Sequence, residues 1–318
     1  MSDDLIRGNG AEASIIVPTY RGVERLPCLL DALAAQQRGT PAFEVILVID
    51  GVDDGSAALA EAERRVAVRH ILLPQNQGRV AALNAGFDAA QGRVLIRCDD
   101  DLVPAPDYVA QHVAAHASGE RGVIGLYRNE FRHTAYATVY GRDADERFRR
   151  DAYATPSDRT WRFWAGNCSI TRDTWKRVGP YDPEYRLYGW EDVDYGYRLH
   201  EAGVPVQLAP ELETPHRVAA VTTEIRARRA SHSGAARRIF ERKHPEAGLP
   251  GAVPPWSLWN GMVRALSRVP IPSDRRGAAV DRVLPHLPAA VGRKLVALSV
   301  ESAALAGYRR PRKAEEVF

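Results

Sequence analysis

The sequence predicts an α/β protein, with a mainly parallel sheet flanked by helices and a helical C-terminal region after it. Two observations carry this expectation. Four short runs of aliphatic and β-branched residues alternate with stretches of helical apolar spacing. Strands alternating with helices in this way imply a sheet covered by helices on both faces. Past about residue 217 the strand signals stop and the pattern becomes helical.

The elements follow in order. Ser14-Ile15-Ile16-Val17-Pro18 reads as a buried strand ending at proline, and residues 24–37 place Leu26, Leu29, Leu30 and Leu33 at helical spacing. Residues 44–50 give a second strand, 56–67 an Ala-rich helix, and 70–73 a third short strand. Residues 80–90 are helical and 93–97 form a fourth strand. Such βαβ alternation implies parallel pairing. Ligands of these sheets bind beyond the carboxyl ends of the strands, where Thr19-Tyr20, Asp50 and Asp99-Asp100-Asp101 all fall. The polar, Arg-rich region 120–165 is expected to be part strand and part loop, with Arg147, Arg149 and Arg150 on a lid or a solvated loop. A further α/β stretch runs from Ile170 to His200, and Val204 to Leu208 is a late strand. The expected organisation is an N-terminal tail over 1–12, a catalytic domain over 13–217 and a basic helical region over 218–318. Within the domain two halves are expected, 13–110 and 120–217.

Composition sets the class. The 318 residues are 45% hydrophobic and 26% charged, which describes a soluble globular protein. No run approaches the ~20 apolar residues of a membrane span, and the acidic start is unlike a signal peptide. The expected location is cytoplasmic, either free or peripheral at the inner face of a membrane. Cys28, Cys98 and Cys168 lack paired metal spacing and read as buried thiols in a reducing compartment. The net charge of +3 hides an asymmetry, −8 over residues 1–216 and +11 over 217–318. The basic part could meet phosphates or an anionic membrane, form a dimer, or be a solvated helical tail. Nucleic acid is not expected, since no recognisable module accompanies the charge.

Two acidic clusters carry the chemistry: Asp99-Asp100-Asp101 at a strand end, and Glu191-Asp192-Val193-Asp194 after Tyr188-Gly189-Trp190. Alternation would aim Asp99 and Asp101 alike and turn Asp100 away. Hard cations such as Mg²⁺ or Mn²⁺ bind one or two carboxylates plus substrate phosphates, which fits the first cluster. A carboxylate of the second cluster could serve as a general base. The first strand lacks a G-x-G-x-x-G turn and no P-loop occurs, so a metal-held diphosphate is the better expectation.

Four ordered segments carry a resemblance: Val17-Pro18-Thr19-Tyr20-Arg21; Asp50-Gly51-Val52-Asp53-Asp54-Gly55-Ser56; Asn76-Gln77-Gly78-Arg79 through Ala82, Asn84 and Gly86; and Asp99-Asp100-Asp101 with Pro104 downstream. They resemble the family 2 glycosyltransferases of the GT-A fold. The resemblance implies a nucleotide-sugar site built from Pro18, Thr19, Tyr20, Arg21, Asp50, Asn76, Arg79, Asp99 and Asp100. It also implies Mn²⁺ or Mg²⁺ bound by Asp99 and Asp101, with His216 as a further ligand. Asp50 would meet uracil, making a UDP-sugar the expected donor. Ile49 stands where many members carry another aspartate, so GDP- and dTDP-sugars stay open.

Trp164-Ala165-Gly166-Asn167, Gly179-Pro180-Tyr181-Asp182 and Gly189-Trp190-Glu191-Asp192 resemble the acceptor side of family 2 enzymes and of β-galactosyltransferases. By that resemblance Asp192 is the catalytic base, Glu191 contacts the acceptor, and Trp164, Gly166, Asn167 and Trp190 line its site, with Asp194 structural. The expectation is a metal-dependent, inverting glycosyltransferase acting on an unidentified acceptor. The rivals are a sugar-phosphate nucleotidyltransferase, which would need a Gly-rich basic first loop, and a non-catalytic carbohydrate- or nucleotide-binding module.

Overall fold

The computed structural model describes residues 10–186, 189–217 and 219–311. Most of the expected N-terminal tail and Tyr188 lie outside these residues. The chain divides into two compact units, and β1 to β4 with their helices belong to the first.

In the first unit, β1 (Ala13–Thr19) is buried over most of its length. It leads to α1 (Leu26–Ala34), which has a proline in its first turn and buries Leu26, Leu29, Leu30 and Leu33. Next come β2 (Phe43–Ile49), α2 (Ser56–Ala62) and β3 (Ala67–Leu72). Helix α2 stops short of the expected residue 67 because Glu63 turns back on the chain. Its Oε1 accepts the backbone N–H of Arg64 (2.8 Å) and of Arg65 (2.6 Å), an alternative to continuing the helix. The third strand therefore starts earlier than the aliphatic run alone suggests. Then follow α3 (Arg79–Ala89), β4 (Val94–Cys98) and α4 (Tyr108–Ala115).

The sheet order is β3-β2-β1-β4-β7-β5-β8, with β5 at Gly122–Ile124, β7 at Asn167–Thr171 and β8 at Val206–Leu208. Strand β1 pairs in parallel with both β2 and β4, so the chain order reverses beside β1 and opens a crevice at its C-terminal end. Strand β7 runs antiparallel to β4 and to β5, the departure from parallel pairing that makes the sheet mixed. A small second sheet joins β6 (Tyr127–Asn129) to β9 (Thr214–His216), and an isolated bridge ties Leu102 to His216.

The Arg-rich stretch expected as strand and loop is mostly helical. A π-turn at Ala137–Gly141 runs into α5 (Arg142–Tyr153), and a 3₁₀ helix spans Ser157–Phe163. Arg147, Arg149 and Arg150 therefore stand on a helix, which corrects the loop reading. Helices α6 (Arg172–Val178) and α7 (Trp190–Glu201) complete this part of the chain.

The second unit contains residues 129–151 and 184–191 and everything from 218 onward. Its helices are α8 (Thr223–Lys243), α9 (Leu258–Leu266), α10 (Ser273–Val283) and α11 (Ala289–Arg309). Ala227, Ala230, Val280, Leu284, Val296, Val300 and Ala303 form its core. Small residues let α8 and α11 meet at backbone distance. A Cβ on Gly307 would stand 1.8 Å from the Ser231 carbonyl oxygen, and one on Gly234 2.0 Å from that of Ala304. Among the described residues no helix is long and apolar enough to cross a membrane.

Candidate active site

The crevice at the C-terminal ends of β1, β2 and β4 gathers the first unit's candidate residues, and its centre is a side chain the sequence reading passed over. Arg97, in β4, has no exposed surface. Its Nε donates to Asp99 Oδ1 at 2.9 Å, and its Nη1 donates to Asp192 Oδ1 at the start of α7. One buried guanidinium therefore joins the two acidic clusters. Burial alone would depress its pKa, but Asp192 and Asp99 outweigh that and raise it, so the arginine is charged.

The two carboxylates respond differently. Burial would raise Asp99, yet Arg97, helped by Arg79, more than reverses this and holds it at about 2. For Asp192, burial wins and its pKa is raised, with Arg97 and Arg79 offsetting only part of the cost. Asp99 is thus a fixed anion, and Asp192 the more basic carboxylate. Tyr127 also donates to Asp99 Oδ2 at 3.2 Å. Gly166 is required there: a Cβ on it would lie 2.0 Å from Asp99 Oδ2.

Asp101 Oδ2 lies 3.0 Å from His216 Nε2. Two backbone bonds align β4's exit with β9. Val103 N donates to the Pro215 carbonyl, and Arg217 N donates to that of Asp101, each at 3.0 Å. Tyr127 stacks on the His216 ring with centroids 4.8 Å apart. A carboxylate and an imidazole suit Mn²⁺ or Mg²⁺ with diphosphate, because such ions take few protein ligands and complete their shell from phosphate and water. Among the described residues no three acidic, His or Cys side chains form a closed metal site. Asp101 and His216 therefore fit as an open, two-donor site; Asp99, the third expected ligand, is instead held by Arg97 and Tyr127, which corrects that call.

The remaining candidates divide between donor crevice and scaffold. Pro18 is half-buried, Tyr20 is 41% exposed, and Arg21 stacks over the Tyr20 ring at 5.3 Å with a left-handed φ of 49°. Asn76 and Arg79 are exposed, Arg79 beginning α3. Asp50 is buried, and its two oxygens accept the N–H groups of Gln77 (2.7 Å) and Gly78 (2.9 Å), clamping the loop before α3. Gly51, at φ 80°, passes so close that a Cβ would be 2.0 Å from Asn76 N.

Three more calls are corrected. Asp100 is not available to a nucleotide: Thr19 donates to its Oδ2 at 2.5 Å, and Arg25 grips both oxygens at 3.0 and 2.7 Å. Burial raises its pKa, with Arg25 pulling the other way. Asn167 cannot take an acceptor, since all four hydrogen bonds of its amide are made within the fold. It accepts from Tyr108 (2.9 Å), faces His112 Nε2 (3.2 Å), and donates to the Leu212 carbonyl (2.8 Å) and the Thr214 hydroxyl (3.0 Å). Trp164 is 2% exposed and donates to Tyr181 at 2.9 Å, so it belongs to the core.

Asp194, 1% exposed, is held by Arg198 at 2.9 Å. In the second unit Glu191 is buried and accepts the Gly189 N–H at 2.8 Å. Trp190 donates to Ser233 at 3.0 Å and packs its ring on Phe240.

A mixed sheet flanked by helices, with acidic residues at its strand ends, is the architecture of the GT-A glycosyltransferases, and comparison with known proteins agrees. The model of glycosyl transferase family 2 matches residues 14–175, and that described as the N-terminal domain of galactosyltransferase matches 147–221. The chain belongs to glycosyl transferase family 2. It is 28% identical over 233 residues to the validoxylamine A glucosyltransferase of Streptomyces hygroscopicus subsp. jinggangensis, covering 64% of this chain and 55% of that one. It is 30% identical over 198 residues to the undecaprenyl-phosphate 4-deoxy-4-formamido-L-arabinose transferase of Yersinia pestis, covering 60% and 52%. The chain thus spans little more than half the length of these two relatives. Among solved structures, a mannosyltransferase from Pyrobaculum calidifontis in complex with GDP-Man and Mn²⁺ superposes with a TM-score of 0.64 at 18% identity, covering 94% of this chain and 88% of that one. S. aureus TarS 1–349 in complex with UDP does so at 0.51 and 14%, covering 95% and 91%. Both likenesses are of fold.

Proposed function

We propose that this protein is a metal-dependent, inverting glycosyltransferase that moves a sugar from a nucleoside diphosphate, UDP foremost, to an acceptor hydroxyl. The observation that carries the reading is the joining of the two acidic clusters through Arg97. It sets a low-pKa carboxylate, Asp99, beside a raised one, Asp192, at the crevice where Asp101 and His216 meet. The donor would lie across the ends of β1, β2 and β4, its base beside Pro18, Thr19, Tyr20 and Asp50. Asn76, Arg79 and Arg21 would flank its phosphates. Asp101 and His216 would hold Mn²⁺ or Mg²⁺, which when bound neutralises charge growing on the leaving diphosphate. Asp192 takes the proton of the attacking hydroxyl. A single base opposite the leaving group gives inversion at the anomeric carbon. Glu191, Gly166 and Trp190 remain the candidates for acceptor contact.

Support also comes from similar proteins, whose solved forms hold GDP-Man with Mn²⁺, or UDP. One relative is named for validoxylamine A and another for undecaprenyl phosphate, so the acceptor class stays open between them. A cytoplasmic or membrane-peripheral location accords with either.

The test separates the two carboxylates. Asp101→Ala is expected to weaken Mn²⁺-dependent UDP binding at least about tenfold, as loss of a charged ligand should. Asp192→Asn should leave that binding within about twofold and lower turnover by roughly 10²–10⁴. Full turnover in Asp192→Asn would remove the base assignment, and a retained anomeric configuration in the product would remove inversion.

A further inference from the structure

The second unit contains a cavity of about 460 Å³ that the proposed transfer does not use. It lies among α8, the start of α10 and the end of α11, and four arginines line it: Arg228, Arg275, Arg276 and Arg310. Asp274 is the lone carboxylate of the lining. Among the described residues none of the four arginines has an acidic partner within 4.0 Å. Arg276 and Arg310 donate instead to main-chain carbonyls, Leu266 and Ser267, at 2.8 and 2.7 Å. Arg228 and Arg275 are exposed and make no hydrogen bond within the described fold, leaving all their N–H groups available.

A second feature points into the same space. Helix α10 begins here with no side-chain cap, and Pro272 precedes it. The N–H groups of Ser273, Asp274 and Arg275 therefore have no intrahelical acceptor and lie at the positive end of an eleven-residue helix. Like charges this close oppose one another. Burial lowers the pKa of Arg276, and Arg310 lowers it further. The fold keeps this repulsion although carboxylates are plentiful elsewhere in the chain. An anion with several oxygens would satisfy both the guanidinium forks and the helix end.

We infer that this cavity is a phosphate-binding site, taking a phosphate monoester or diester between Arg228 and Arg275 with Arg276 and Arg310 behind. Two sources present that group: a soluble phosphate, or the headgroup of an anionic lipid. The second has its own support, because Ile271 of the lining is 50% exposed, and Leu258 and Met262 of α9 are 88% and 49% exposed.

The experiment uses the full chain with EDTA present, so that metal-held diphosphate does not contribute. Titration with inorganic phosphate followed by ³¹P line broadening and calorimetry is expected to show saturable binding. The double variant Arg228→Gln/Arg275→Gln, which alters only exposed side chains, should weaken it at least about tenfold. Flotation with phosphatidylcholine vesicles containing phosphatidylglycerol then assigns the source. Co-flotation of the parent protein, lost in the double variant and in Ile271→Asn, means a lipid headgroup; phosphate binding without flotation means a soluble one. Absence of saturable phosphate binding, or equal binding by the double variant, overturns the site. Circular dichroism checks that the variants fold.

Discussion

A guanidinium with no exposed surface in an aliphatic strand is tolerated only where its charge is matched. Arg97 meets that condition through Asp99 and Asp192, and this pairing could be half anticipated. Strand alternation places Arg97 on the same side as Asp99, and a charge within Val94-Leu95-Ile96-Arg97-Cys98 demands an acid. Its other partner is 95 residues away, and no local pattern reports that. The nearness of Asp101 and His216, 3.0 Å apart, follows a recognisable order of strand-end acids and a late histidine. The roles of Asp100 and Asn167 were not legible, because a motif shows residue type and not whether every lone pair is already taken. Arg97→Met is expected to cost about 3–5 kcal/mol, the usual result of leaving buried charges without a partner. In the folded fraction Asp192 loses the attraction that offsets burial, so its pKa rises further. A base acts deprotonated, so the acidic limb of the rate profile should move to higher pH. Denaturant unfolding and pH–rate measurements check the two parts; lost stability with an unmoved limb would mean Arg97 only fills space.

Elements were legible where burial imposes a period. The first four strands and their three helices lie close to expectation, since each strand has an aliphatic run at its centre or end and the helices repeat apolar residues on one face. The stretch from 137 to 163 was not, because α5 has the sequence Arg-Asp-Ala-Asp-Glu-Arg-Phe-Arg-Arg-Asp-Ala-Tyr, almost without apolar residues. The direction of β7 was hidden too, since an antiparallel strand buried on both faces has no distinct composition. What holds β7 to α4 is polar: Ser169 Oγ lies 2.9 Å from His112 Nδ1 and 2.8 Å from His116 Nε2. Burial pushes His112 down to about 3 and His116 to about 4, from the ordinary 6.5. Both are neutral in the fold, whereas the unfolded chain takes up protons below 6.5. Stability should therefore fall as pH drops from about 6.5, and this contribution ends only near the folded values. Each histidine contributes up to about 1.4 kcal/mol per pH unit, so the pair approaches about 2.7 between pH 6 and 5, before most carboxylates titrate. Urea unfolding across that window measures the slope. Replacing His116 by Asn should roughly halve it, and a flat response would remove the histidines from the acid sensitivity.

Across the whole molecule, charge is divided between the two units in the same sense as it is along the sequence. The first unit has 19 Lys and Arg against 25 Asp and Glu, a net −6; the second has 24 against 15, a net +9. Such a distribution has consequences that a total of +3 conceals. A charged matrix senses the local field, which reaches about 10 Å at 0.1 M salt, and so it reads the more basic face instead of the sum. The protein should be retained on immobilised heparin at about 20 mM salt and released as screening shortens that reach. Position then matters beyond number. Arg228→Gln/Arg275→Gln should elute at clearly lower salt than the parent. Arg38→Gln/Arg64→Gln, two exposed arginines of the first unit, removes the same charge from the acidic side and should barely move the peak. Equal shifts in the two double variants would mean that retention follows net charge alone, and the basic unit would then have no separate electrostatic identity.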